Sequence, residues 1–112
     1  MGFNIERQDQ TVIVTVDGRL DGANAQQFQG YFTGALDEND RAVVLNFEHL
    51  SYISSAGLRV ILIAAKTLRR RDAQLVVCSL SDPIREVFQI SGFDQIIQVQ
   101  STQAEAIATL NA

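Results

Sequence analysis

Residues 52–62 have the sequence YISSAGLRVIL and mark a change from strand to helix. The run shortly before them, AVVLNF at residues 42–47, is short, apolar and rich in β-branched side chains, which is typical of a buried strand. After the serines, apolar side chains recur at helical spacing, at Leu58, Ile61, Leu62, Ala65 and Leu68. The sequence therefore predicts a helix from about Ser55 to Arg70.

The adjacent hydroxyl groups of Ser54 and Ser55 fall at the N-terminus of this helix. A serine at this position can cap unpaired backbone N–H groups, and the helix dipole favours negative charge at the same end. Either hydroxyl could therefore carry a phosphoryl group without unfolding the helix. Two interpretations stay open at this point, a capping serine followed by an ordinary first-turn serine, or a phosphorylation switch.

The rest of the chain alternates between strand-like and helix-like segments. Residues 11–17 alternate in polarity and, with the shorter run at 3–5, predict an N-terminal hairpin. Asp21 or Asn24 can cap a first helix that continues to about Asp37. The remaining strands are predicted at residues 41–47, 74–79 and 96–99, and the remaining helices after Ser81-Asp82-Pro83, ending at Gly92, and after Ser101-Thr102 with Glu105.

The predicted order of elements is β-β-α-β-α-β-α-β-α. Helices that alternate with apolar strands indicate an α/β fold, with a parallel or mixed central sheet of about five strands and about four helices. The chain has 112 residues, of which 46% are hydrophobic, and this is enough for a single core. We expect residues 1–112 to form one domain.

Charge and composition argue against several classes of function. The net charge is −4, and the one basic cluster, residues 69–71, is expected to end a helix, where cations complement the dipole. We therefore expect no nucleic-acid binding. The sequence has no signal-peptide pattern and no apolar run long enough to span a bilayer, so we expect no membrane insertion. The single cysteine, Cys78, cannot form an internal disulfide, which fits the reducing cytoplasm.

The sequence gives no support for catalysis. It has no glycine motif that would cradle a phosphate after a strand, no cluster of metal ligands, and no histidine near the two serines. His49 is predicted to lie in a loop without metal-binding neighbours. We expect neither a metal nor a cofactor, and no enzymatic activity.

Two segments resemble the STAS family of bacterial anti-sigma factor antagonists. They are ISSAGLR at residues 53–59, and GRLD at residues 18–21 with the Ala-Asn-Ala run at residues 23–25. With the order of elements, the resemblance covers nearly the whole chain. It implies the STAS fold, in which helices gather largely on one face of a mixed central sheet. Sporulation-type members have aspartate where this chain has Ser54 and glycine where it has Arg59.

The resemblance also implies a function and a modification site. The second hydroxyl position of the motif, here Ser55, is the phosphorylated residue of the family, which leaves Ser54 as a helix cap. The unmodified antagonist would bind an anti-sigma factor that is itself a serine kinase, and so release a sigma factor. The kinase would phosphorylate Ser55 and free itself, and a metal-dependent serine phosphatase would restore binding.

The motif helix has a second face that we expect to contact the partner. A helical wheel places Val60, Ile63 and Ala64 there, between basic side chains, and such a surface is wider than one-sided burial requires. The residues expected to form the partner-binding site are Asp21, Ala56, Gly57, Arg59, Val60 and Ile63.

Other interpretations of these residues stay open. Val60 and Ile63 could pack beneath a neighbouring helix, Gly57 could allow the helix to approach the sheet closely, and Asp21 could cap the following helix. The chain could also be a scaffolding STAS domain of a stress-signalling complex, or an accessory subunit of a lipid-transport ABC ATPase.

Overall fold

A computed structural model describes residues 2–110 and contains six strands and four α-helices. The predicted helix at the motif is confirmed, from Ser55 to Arg70. In chain order the elements are β1 (Gly2–Gln8), β2 (Thr11–Leu20), α1 (Ala25–Ala35), β3 (Ala42–Asn46), β4 (Leu50–Ile53), α2 (Ser55–Arg70), β5 (Gln74–Cys78), α3 (Asp82–Ile90), a 3-10 turn (Phe93–Gln95), β6 (Gln98–Gln100) and α4 (Gln103–Leu110).

The strands form a mixed sheet in the order β1-β2-β3-β5-β6. β1 and β2 form the predicted antiparallel hairpin, in which Gly2 lies opposite Asp17 and Gln8 opposite Thr11. The other pairings are parallel. Because the carboxyl ends of parallel strands lie at the same edge of a sheet, the loops after β2 and β3 emerge on one side of the molecule.

The strand β4 was not predicted from the sequence. It has only four residues and pairs in parallel with the last part of β2, beyond the region where β2 pairs with β3. The register shifts between Gly18 and Arg19, and Gly18 has a φ of 97°, which favours glycine. This extra strand makes the element order β-β-α-β-β-α-β-α-β-α, and it carries the chain directly into α2.

The helices lie on both faces of the sheet in unequal numbers. The larger core packs α1, α2 and α3 against one face, where Val12, Val14 and Val16 of β2 are buried. The smaller core packs α4 against the other face and consists of Ile13, Val44, Val76, Cys78 and Ala106. The expectation that helices gather largely on one face is therefore confirmed.

The helix ends show which capping residues were assigned correctly. α4 begins as predicted, because Thr102 Oγ1 accepts a hydrogen bond from the Glu105 N–H at 3.1 Å. Gly92 lies just after α3 with a φ of 74°, as expected for a residue that ends a helix. α1 is shorter than predicted, and its N-cap residue, Asn24, makes no side-chain capping bond. The Asn24 Oδ1 instead accepts from the Asp21 N–H at 2.9 Å.

An ion pair between the exposed Arg7 and the buried Asp40 links the edge strand β1 to the loop before β3. Asp40 is 3% exposed and accepts two hydrogen bonds from Arg7, from Nε at 3.2 Å and from Nη2 at 2.8 Å. The Asp37 N–H donates to the same carboxylate at 2.7 Å. Burial acts to raise the pKa of Asp40, but the hydrogen bonds and the charge of Arg7 outweigh it and hold the pKa below its ordinary value.

Candidate functional site

Ser54 is the N-cap of α2, as the sequence predicts. Its Oγ accepts a hydrogen bond from the Gly57 N–H at 3.2 Å, and its carbonyl accepts from the Leu58 N–H at 2.9 Å. Its own N–H donates to the carbonyl of Leu20 at 2.9 Å, which joins the start of the helix to the end of β2. The side chain and both backbone groups of Ser54 are therefore committed to the fold.

Ser55 differs from Ser54 in the state of its side chain. It is the first residue of α2, its side chain is exposed, and within residues 2–110 its hydroxyl has no hydrogen-bond partner. The first turn of this 16-residue helix contains no acidic residue to complement the positive end of the dipole. The Ser55 hydroxyl is therefore accessible to an enzyme and lies where negative charge is favoured.

Gly57 is buried against β2 and does not form part of the surface. A Cβ atom at this position would lie 2.8 Å from the carbonyl oxygen of Leu20 and 2.9 Å from Cγ1 of Ile53. Only glycine fits there without displacing backbone. Of the two interpretations of Gly57, the structure supports close packing of the helix on the sheet. Because Gly57 is buried, the prediction that it contacts a partner directly is wrong.

Val60 is also buried, which supports the alternative interpretation that it packs beneath a neighbouring helix and contradicts its assignment to the partner surface. Val60 and Ala64 are each 6% exposed and belong to the larger core, because α1 packs over this side of α2. Ile63 is 39% exposed, Ala56 is half-buried, and Arg59 is exposed. The predicted second face of α2 is therefore narrower than the helical wheel indicated.

A groove between α1 and α2 leads away from Ser55. It has a volume of ≈ 360 Å³, and Gly22 and three residues of α1, none of which was expected at the site from the sequence, form one of its sides. The lining residues are Gly22, Ala25, Gln26 and Gln29 on one side, and Ser55, Ala56, Arg59, Val60 and Ile63 on the other. The groove thus brings together five of the residues expected to be functional.

Asp21 lies at the same edge of the sheet, where it orders the loop before α1. Its Oδ1 accepts from the Ala23 N–H at 3.0 Å, and its Oδ2 lies 3.6 Å from Nε of Arg19. The Arg19 guanidinium lies 4.3 Å from the centre of the Tyr52 ring. Arg19 and Tyr52 are not among the site residues expected from the sequence, because their contact follows from the register of β2 with the unpredicted strand β4.

Asp21 therefore does not cap α1 with its side chain, although its carbonyl accepts from the Ala25 N–H at 2.9 Å. Its half-buried carboxylate joins the exposed side chains of Arg19 and Tyr52 in a charged and aromatic cluster next to the residues that precede Ser55. Arginine and tyrosine are common anchors of protein interfaces. The cluster extends the candidate surface from the α1–α2 groove onto β2 and β4.

The STAS domain model matches residues 2–106 of the chain. The chain belongs to the STAS family. This STAS domain is 41% identical over 108 residues to BtrV of Bordetella bronchiseptica, named as a candidate anti-sigma factor antagonist, and the match covers 96% of this chain and 93% of BtrV. It is 31% identical over 108 residues to the anti-sigma-B factor antagonist of Staphylococcus aureus, with 94% of this chain and all of that protein covered.

Solved structures of related proteins share the fold of this STAS domain. The anti-sigma factor antagonist SpoIIAA in its unphosphorylated form gives a TM-score of 0.83 at 26% identity, covering 98% of this chain and 96% of that one. Bacillus SpoIIAA in its phosphorylated form gives 0.74 at 26% identity, covering 97% and 99%. A Thermotoga maritima structure gives 0.92 at 22% identity, covering 98% and 95%, which shows the fold alone.

Three further observations concern the part of the STAS domain that the structure describes. Between residues 2 and 110, no helix is both long enough and apolar enough to cross a bilayer. Over the same range, no three acidic, histidine or cysteine side chains lie close enough together to hold a metal ion. The lone thiol, on Cys78, is buried, and this burial raises its pKa above the ordinary value.

Proposed function

We propose that this STAS domain is an anti-sigma factor antagonist of the cytoplasm whose binding is controlled by phosphorylation of Ser55. In its unmodified form it binds an anti-sigma factor through the surface around Ser55, and the sigma factor is released. The anti-sigma factor is a serine kinase that modifies Ser55, and a metal-dependent serine phosphatase removes the phosphate. The STAS domain itself is a regulatory binding protein and a kinase substrate.

The observation that carries this proposal is the separation of roles between the two serines. Ser54 supplies the cap of α2, whereas the hydroxyl of Ser55 is exposed and makes no bond within residues 2–110. Modification of Ser55 therefore leaves the cap intact. The similarity to SpoIIAA, which has been solved in both unphosphorylated and phosphorylated forms, supports control by phosphorylation.

Charge explains how the modification would weaken binding. A phosphoserine carries about −1.5 to −2 charges at neutral pH, added to a chain whose net charge is already −4. The phosphate would lie in the groove that Ala56, Arg59 and Ile63 also line, the part of the predicted site that the structure leaves accessible. An apolar contact between Ile63 and the partner would then be unfavourable, because forming it would remove water from the charged phosphate at the edge of the interface.

The test combines mass analysis with partner capture. The chain is isolated from its own cells with its bound proteins, and intact mass and phosphopeptides are measured beside Ser55→Ala and Ser55→Asp variants. We expect phosphate on Ser55, a kinase-type anti-sigma factor retained by the wild type and Ser55→Ala, and no retention by Ser55→Asp. Asn39→Asp adds the same charge in an exposed loop at the opposite edge of the sheet and is expected to retain the partner.

Two outcomes would overturn the proposal. One is a chain that stays unmodified and captures an ATPase or a scaffold complex equally well with serine, alanine or aspartate at position 55. This result would favour the accessory-subunit or scaffold function. The other is loss of the anti-sigma factor from Asn39→Asp as well as from Ser55→Asp, because binding would then follow total charge and not the modification site.

A further inference from the structure

We infer that Arg59 pairs with the phosphate on Ser55 within the same chain, so that phosphorylation both adds charge and withdraws a basic side chain from the binding surface. This inference rests on the proposed function for its biological setting. The structural evidence for it is that Ser55 and Arg59 lie four residues apart on α2 and line the same groove.

The helix geometry brings the two side chains within reach of each other. Residues four apart on a helix lie on the same face, with about 5 to 6 Å between their Cβ atoms. Both side chains are exposed, and neither is held in the core. The long side chain of arginine can direct its planar, five-donor guanidinium toward a phosphate, which it binds with two parallel hydrogen bonds.

Arg59 is available for this pairing in the unmodified chain. Within residues 2–110 the ion pairs are those of Arg7 with Asp40 and of Arg19 with Asp21, so the guanidinium of Arg59 has no carboxylate partner there. Asp21, in the loop before α1, is already paired with Arg19. Phosphorylation of Ser55 would therefore supply the first strong anionic partner for Arg59.

The groove beside the two residues suits a phosphate. Its lining includes one cation, Arg59, and the amides of Gln26 and Gln29 on α1, and it includes no carboxylate. α1 has no charged residue between Ala25 and Ala35, and its one titratable side chain, Tyr31, is stacked on Phe3 at 4.7 Å between ring centres. Nothing that faces the phosphate from α1 would compete with it for Arg59.

A phosphoserine that is placed at position 55 during translation tests this pairing without any kinase. The pKa of the phosphate is measured by ³¹P NMR titration in wild type, Arg59→Gln, Arg59→Lys and Lys66→Gln. Because a neighbouring cation favours the dianion, we expect the pKa in wild type to lie at least about 0.3 below that in Arg59→Gln. Arg59→Lys is expected to restore part of this difference.

Lys66→Gln is the matched control, because Lys66 is an exposed cation of the same helix that lies outside the groove lining. We expect it to leave the phosphate pKa unchanged, and we expect the Arg59 Nε–H resonance to shift between the serine and phosphoserine forms. An equal pKa in wild type and Arg59→Gln overturns the pairing. Equal effects of Arg59→Gln and Lys66→Gln also overturn it, because only a general field of the helix would then act.

The titration and the mass analysis test the two proposals separately, so either proposal can be wrong while the other stands. If Ser55 is never modified in cells but the installed phosphate pairs with Arg59, the mass analysis contradicts the switch and the titration does not. If Ser55 is modified and controls binding while the titration shows no role for Arg59, the switch stands and the pairing is wrong.

Discussion

The N–H of Ser54 donates a hydrogen bond to the carbonyl of Leu20 at 2.9 Å, and the same carbonyl lies 2.8 Å from the place a Cβ on Gly57 would occupy. The end of β2 and the start of α2 are thus in contact through the backbone of both elements. This contact fixes the direction in which α2 leaves the sheet. It also determines where the hydroxyl of Ser55 is presented.

Replacement of Gly57 is expected to be destabilising, although alanine favours helices in general. In Gly57→Ala the new methyl group overlaps backbone of β2, and we expect a loss of about 1 to 3 kcal/mol in the free energy of unfolding, measured by urea denaturation. Gly30→Ala is the control, because its Cβ would meet nothing within 4 Å and α1 should gain about 0.5 to 1 kcal/mol. Equal effects of the two substitutions would contradict this packing.

The two serines are expected to differ in their contribution to stability. Ser54→Ala removes the acceptor for the Gly57 N–H and should cost about 1 kcal/mol in the free energy of unfolding. Ser55→Ala removes an exposed hydroxyl and should change stability by less than about 0.5 kcal/mol. Thermal and urea denaturation of both variants measure this difference, and a larger loss from Ser55→Ala would show that the roles are exchanged.

The ion pair of Asp40 with Arg7 should make stability depend on pH in the acid range. Because the pKa of Asp40 is lowered in the folded state, its contribution is present above the unfolded value near pH 4 and is lost as the pH falls through the lower, folded value. Asp40→Asn should lose about 1 to 2 kcal/mol at pH 7 and show a flatter stability curve below about pH 4. The control Asp17→Asn, at an exposed position, should keep the wild-type dependence of stability on pH. If Asp40→Asn also kept it, the ion pair would not be the source of that dependence.

Substitutions at Val60 and Ile63 should separate the core from the binding surface. Val60→Ala leaves space beneath α1 and should cost about 1 to 2 kcal/mol of stability, since Val60 is 6% exposed. Ile63→Ala should cost less than about 1 kcal/mol and weaken binding of the anti-sigma factor about 5- to 10-fold, because its side chain is partly exposed in the groove. Binding calorimetry and denaturation distinguish the two effects. If Ile63→Ala bound with unaltered affinity, Ile63 would not be part of the binding surface.

The helix α2 could be predicted closely because several local signals agree. Ser54 supplies a cap, an apolar stripe follows, and basic residues complement the dipole at Arg69 and Arg70, so the helix begins and ends where expected. These signals belong to consecutive residues and need no knowledge of the tertiary fold. The buried residues Leu58, Ile61 and Leu68 of the predicted stripe follow for the same reason.

What could not be predicted depends on contacts between distant segments. Val60 and Ala64 are buried because α1 lies over them, and the sequence of α2 contains no signal for the position of α1. β4 was missed because four residues form a strand only where the end of β2 offers an unpaired edge. The Arg19–Tyr52 contact and the position of Asp21 follow from that pairing, so the candidate surface was predicted in part.

The pairing of β4 with β2 determines when, during folding, the candidate surface forms. The Ser51 hydroxyl donates to the Gly18 carbonyl across a separation of 33 residues, beside the bond between Ser54 and Leu20. A chain that has not yet closed this sheet can expose Ser55, but it cannot present it at a fixed angle beside α1. An enzyme that recognises the assembled surface would therefore act on fully folded molecules and not on nascent or locally opened ones.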